Sequence, residues 1–177
     1  MRKSLFFILF AVVSLQLFAQ DKPITQNKAA IQWISWDEAQ TKMAEEPKSM
    51  FVDMYTDWCG WCKRMDATTF QDASVVEYIN ENYYAVKFNA EQKEAITYAG
   101  HEFVFVQQGR RGYHQLAHSM LNGRMGYPAF VYFNQEMERI MISPGYKKAD
   151  QILGELEYAS EGKYQTMNLD EYLKTRT

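Results

Sequence analysis

The chain has little cysteine, little histidine and no surplus of positive charge. Of its 177 residues only Cys59 and Cys62 are cysteines. Two thiols are too few for a disulfide scaffold, and their Cys-x-x-Cys spacing points to redox chemistry instead. The three histidines are His101, His114 and His118. His114 and His118 have the four-residue spacing that metal sites use, yet no acidic residue lies between them, so surface or packing roles fit better and no metal or cofactor is expected. With 19 basic against 22 acidic residues, nothing invites nucleic acid.

Long apolar runs are also missing, except at the start. Arg2 and Lys3 precede Leu5 to Val13, and Leu17-Phe18-Ala19-Gln20 follows. This is the pattern of a secretory signal peptide over residues 1–19, cleaved after Ala19. A membrane anchor fits less well, because the unbroken run is shorter than the ~20 residues of a spanning helix. No cysteine stands at the cleavage point to accept a lipid. The mature chain is therefore expected to be periplasmic or secreted, with no stable membrane anchor. Cleavage removes Arg2 and Lys3 and no acid, leaving 17 basic against 22 acidic residues and a charge of −5. The roughly 158 residues left suit one domain, residues 31–177, behind a flexible polar leader at 20–30.

What is present centres on residues 51–65. Phe51 to Tyr55 reads as a buried strand, and Lys63 to Thr69 carries good helix formers. The cysteines therefore fall where a strand gives way to a helix. There the free N–H groups and the helix dipole favour a thiolate at Cys59, the expected nucleophile. Cys62, one turn on, is placed to close a small disulfide ring and release a bound partner, as the resolving thiol.

The run Asp53-Met54-Tyr55-Thr56-Asp57-Trp58-Cys59-Gly60-Trp61-Cys62-Lys63 resembles the thioredoxin superfamily, and most closely the periplasmic thioredoxin-like domain of DsbD-type electron carriers. The resemblance covers roughly residues 31–160. It implies an α/β fold, a central mixed β-sheet flanked by helices, and disulfide attack by Cys59 with resolution by Cys62. It also implies a cis peptide at Tyr127-Pro128, where the backbone before the proline pairs with a substrate chain; an ordinary trans proline at a strand start is the alternative. Asp53 matches the family's buried aspartate, which takes the proton of the second cysteine, and Lys87 matches the lysine near it. The same two residues also fit an aspartate and a lysine facing solvent. Trp58 matches the tryptophan beside the site. Gly60 and Trp61 fill the dipeptide that tunes the potential, and Trp61 fits either a substrate contact or partial burial.

Elsewhere the pattern gives a short strand at Ile31–Ile34, a Ser35/Glu38 capping box opening a helix to about Glu45, and a helix after Asp72. Strands follow at Tyr83–Asn89, Phe130–Phe133 and Arg139–Ile142. A helix then buries Ile152, Leu153, Leu156 and Ala159, and a short one starts at Asn168. Against that family's usual spacing, about twenty extra residues form an insertion at 92–125. In it, Ala95, Ile96 and Ala99 suggest a helix, Phe103–Val106 a strand, Gln107–Gly112 a turn with a basic tip, and Tyr113, Leu116, Ala117, Met120 and Leu121 a helical face.

Two functions remain. One is an exported thiol–disulfide oxidoreductase that reduces protein disulfides and draws electrons from a membrane thiol reductase. The other is a binding or assembly module of the same fold, with a structural disulfide and the insertion as docking surface.

Overall fold

The computed structural model describes residues 30–176, so the expected signal peptide and all but the last residue of the leader lie outside the described residues. The apolar run ahead of the cysteines forms β2 (Ser49–Tyr55) at the centre of a five-stranded sheet. On one side β2 pairs in parallel with β3 (Tyr83–Asn89), which places Asp53 opposite Lys87, and β1 (Trp33–Ile34) extends that parallel edge. On the other side β8 (Ala129–Phe133) and β9 (Arg139–Pro144) are antiparallel, for a strand order β1-β3-β2-β8-β9.

Parallel neighbours require crossovers. Here α1 (Trp36–Glu45) links β1 to β2, while α2 (Gly60–Ala67) and α3 (Ala73–Asn82) link β2 to β3. Strand alternation then divides the core in two. Met50, Val52 and Met54 meet Trp36, Ala39 and Met43 of α1 and Leu116 and Ala117 of α4 (Gln115–Met120). Phe51 points the other way, toward Met65 of α2, Val76 and Ile79 of α3, and Ile152 and Leu156 of α5 (Ala149–Ser160). By the same alternation Asp53 lies on the Phe51 face.

Between β3 and β8 stand two small hairpins and α4. Ala95, Ile96 and Ala99 do not form a helix; β4 (Ile96–Tyr98) turns through Ala99 and Gly100, both at positive φ, into β5 (His101–Phe103). A two-residue turn of that handedness matches strand twist, and it outweighs three apolar positions. The run Phe103–Val106 is likewise split at Val104, whose N–H donates to Gln115 Oε1 at 3.0 Å. Phe103 pairs back with Ile96, whereas Phe105 opens β6 (Phe105–Gln108), which pairs with β7 (Arg111–His114). Tyr113 thus belongs to a strand, and α4 starts two residues later.

Smaller corrections concern caps and faces. Ser35 Oγ accepts the Glu38 N–H at 3.1 Å, but the Glu38 carboxylate leans to Lys42, 3.9 Å away, rather than back to the cap. In α5 Leu153 is only half-buried, and Glu155 is buried instead. Its carboxylate accepts from Tyr132 Oη at 2.9 Å and Ser143 Oγ at 2.7 Å, so the buried oxygens are satisfied. The last described helix, α6 (Leu169–Thr175), is capped by Asn168 and packs Tyr172 against Tyr158 of α5.

Candidate active site

β2 ends at Tyr55, and the chain turns so that the Cys59 N–H donates to the Thr56 carbonyl at 3.0 Å. Cys59 is the N-cap of α2, and its Sγ accepts the Cys62 N–H at 3.1 Å. The two sulfurs are bonded to each other, and both residues are buried. A sulfur that caps a helix faces its unpaired donors and its positive dipole end, which favour negative charge there once the bond is reduced. Gly60, between them, is exposed, and a Cβ there would meet nothing within 4 Å.

Below this end of the sheet, Asp53 is 1% exposed. Lys87 Nζ donates to Asp53 Oδ2 at 2.5 Å and also to Asp66 Oδ1, so the lysine bridges a buried carboxylate and a half-buried one on α2. Trp33, Tyr55 and Phe70 surround the ammonium with centroids 5.0, 5.1 and 5.4 Å away. Burial pushes the Asp53 carboxyl up to about 6, against the attraction of Lys87. For Lys87 burial alone would favour the neutral amine, but Asp53 and Asp66 overcome it and hold the ammonium above its usual range. Asp53 Oδ1 has no hydrogen-bond partner among the described residues, which leaves it free to accept a proton.

The rim is aromatic. Trp58 is 49% exposed and Trp61 57%. Trp58 meets Tyr127 edge to face at 5.9 Å and donates its indole N–H to Glu91 at 3.0 Å. The Tyr127-Pro128 peptide is cis, and it precedes Ala129, which pairs with Met54 beside the end of β2. Trp61 meets Tyr146 at 5.2 Å and carries the Arg64 guanidinium at 5.7 Å. Trp58, Gly60 and Trp61 flank Cys59 and Cys62 along the chain, Tyr127 ahead of the cis Pro128 meets Trp58, and Asp53 pairs with Lys87 across β2 and β3. Sequence reasoning missed Asp66, Glu91 and Tyr146, and it had Arg111 only within a basic turn tip, whereas its guanidinium lies over the Trp58 ring, 4.1 Å from the centroid. Asp66 alone left a local signal, being four residues after Cys62 and on the same helix.

One histidine is buried and two are exposed, His101 and His118. His114 is buried at the N-terminus of α4, where its Nδ1 accepts the Leu116 N–H at 3.2 Å and its Nε2 donates to the Glu94 carbonyl at 3.0 Å. His118 stacks on Tyr113 at 5.0 Å. Among the described residues no group of three or more His, Cys, Asp or Glu is placed to hold a metal ion.

A family model described as "Thioredox_DsbH: Protein of unknown function, DUF255" matches residues 17–160. The chain belongs to the Thioredox_DsbH family. Its fold is thioredoxin-like, as the resemblance over residues 31–160 implies, with a mixed sheet flanked by helices and a Cys-x-x-Cys pair at bonding distance. A structure titled a putative disulphide-isomerase from Bacteroides thetaiotaomicron is 25% identical, with a TM-score of 0.52 over 75% of this chain and 93% of that one. A structure titled DsbH Oxidoreductase is 19% identical, with a TM-score of 0.52 over 84% and 95% of the two chains. An uncharacterized protein of Archaeoglobus fulgidus is 34% identical over 84 residues, 48% of this chain and 65% of that protein. The match thus spans less than two thirds of that relative's length.

Proposed function

We propose that the protein is an exported thiol–disulfide oxidoreductase that reduces disulfides of extracytoplasmic proteins. The observation that carries this reading is a Cys59–Cys62 disulfide at the start of α2, ringed by exposed tryptophans and backed by a buried Asp53 poised near neutrality. In the reduced protein, Cys59 thiolate attacks one sulfur of a substrate disulfide, forming a mixed disulfide and expelling the other sulfur as a thiolate that takes up a proton. Cys62 gives its proton to Asp53 and attacks Cys59 Sγ, which releases the second substrate thiolate. The substrate ends as two thiols and the protein as a disulfide, so electrons must return from a donor. A membrane thiol reductase fits that role for an exported chain.

Trp58, Trp61, Tyr127 and the backbone before Pro128 supply the contact surface, with the exposed Gly60 between the cysteines. Lys87 holds Asp53 in place and in charge balance. Arg111 of the β6–β7 hairpin lies over Trp58, so a docking role for that segment would border the redox site.

Titration of the pair in dithiol buffers, read by tryptophan fluorescence, tests the direction of flow. A potential near the ~−270 mV of thioredoxin supports a reductase, and one near the ~−120 mV of DsbA makes it an oxidant. A pair that does not cycle leaves the assembly reading in its place.

A further inference from the structure

The β6–β7 hairpin is braced from tip to base. At the tip Gly109, with φ 60°, takes the first turn position, and Gln107 Nε2 donates to the carbonyls of Gly109 and Arg111 at 2.8 and 2.6 Å. Gly112 leaves room for the Phe105 ring, which a Cβ would meet at 2.2 Å. At the base the His114 N–H donates to the Ala90 carbonyl at 2.7 Å, tying β7 to the end of β3. Arg111 therefore projects from a fixed backbone.

Its guanidinium lies over the Trp58 ring, 4.1 Å from the centroid, one residue from Cys59. Arg64 takes the matching place on Trp61, one residue before Cys62. Neither arginine, nor Arg110 or Lys63 beside them, has a carboxylate at ion-pairing distance among the described residues. Two carboxylates do stand on this rim. Glu91 accepts from the Trp58 indole, and Asp57 accepts from Asn89 Nδ2 at 3.3 Å, so both are engaged by neutral donors. A guanidinium over a ring has five N–H donors and still offers some of them to a carboxylate. The chain as a whole carries a charge of −3, so unpaired cations on both exposed tryptophans run against its general sign.

We propose that Arg111, with Arg64 on the other tryptophan, selects substrates by charge: the preferred partner is a protein segment with Asp or Glu beside the cysteine under attack. The inference rests on the redox reading above and names its substrate class. Charge complementarity of this kind sets partner choice and encounter rate more than raw affinity.

The test uses three disulfide-linked peptides identical except for Glu, Gln or Lys beside the cysteine, reduced by the full chain. The expected Glu-to-Lys ratio of kcat/KM is about five- to tenfold at low salt, since one form is attracted and the other repelled. The ratio should narrow in molar salt. Arg111→Glu should bring it to one or below, while Arg111→Lys should keep it above one; a purely structural role for Arg111 would not move this ratio. Equal rates for the Glu and Lys peptides in the unaltered chain, or an unchanged ratio in Arg111→Glu, overturn the inference alone. No reduction of the Gln peptide overturns the redox reading and the inference with it.

Discussion

At Asp53 burial and a lysine pull in opposite directions, and burial wins. The carboxyl is held near 6 against an ordinary 3.8. A base of that strength is ionised at neutral pH yet still accepts a proton. Disulfide exchange should therefore rise as pH climbs through about 6, and Asp53→Asn should remove that step and slow turnover roughly ten- to a hundredfold, measured as insulin reduction against pH. The same substitution removes a desolvated charge. Above pH 7 it should raise stability by on the order of 1–3 kcal/mol in denaturant melts. Asp66 adds its charge to the pair and shares Lys87, and both effects favour the protonated form of Asp53. Asp66→Asn should move the pH midpoint of exchange downward, and an upward shift would remove Asp66 from this account.

At the scale of elements, the β6–β7 hairpin depends on Gly112. A Cβ at that position would lie 2.2 Å from the Phe105 ring and 2.4 Å from the Val106 carbonyl oxygen. The ring can swing but the backbone carbonyl cannot. Gly112→Ala should therefore cost about 1–3 kcal/mol and lower the midpoint of thermal unfolding. The insertion at 92–125 that holds this hairpin was also the least legible in the sequence. The Ala95, Ile96 and Ala99 pattern was compatible with a helix, and only the pair Ala99–Gly100 at positive φ makes it a hairpin. β2 and α2 were legible because a short apolar run and a Cys-x-x-Cys before helix formers are local signals. Arg111 on Trp58, Glu91 on the same indole and Glu155 beneath Tyr132 were not, because each contact joins residues that only the fold brings together.

Across the whole molecule, two buried groups give stability opposite pH dependences. Burial lowers the His114 pKa from 6.5, so the fold holds it neutral. The stability it contributes is present above about 6.5 and is lost as pH falls below that value, where the unfolded chain takes up the proton first. Asp53, raised from 3.8 to about 6, behaves in reverse: its contribution is present below 3.8 and lost as pH rises to about 6. Thermal melts should show the advantage of Asp53→Asn fading between pH 6 and 4. The deficit of His114→Asn against the unaltered chain should shrink from pH 7.5 to 5. The division into two cores follows from alternation in β2, and that frame keeps Asp53 dry on the Phe51 face.

The central claim is that Cys59 attacks and Cys62 resolves. It is tested most directly by incubating the reduced Cys62→Ser chain with a protein disulfide and locating the adduct by mass spectrometry of the non-reduced digest. The account predicts a stable mixed disulfide on Cys59, released by added dithiol, and no adduct on the Cys59→Ser chain under the same conditions. An adduct on Cys62 of the Cys59→Ser chain with none on Cys59 of the Cys62→Ser chain would reverse the roles, and no adduct on either would contradict the enzyme reading.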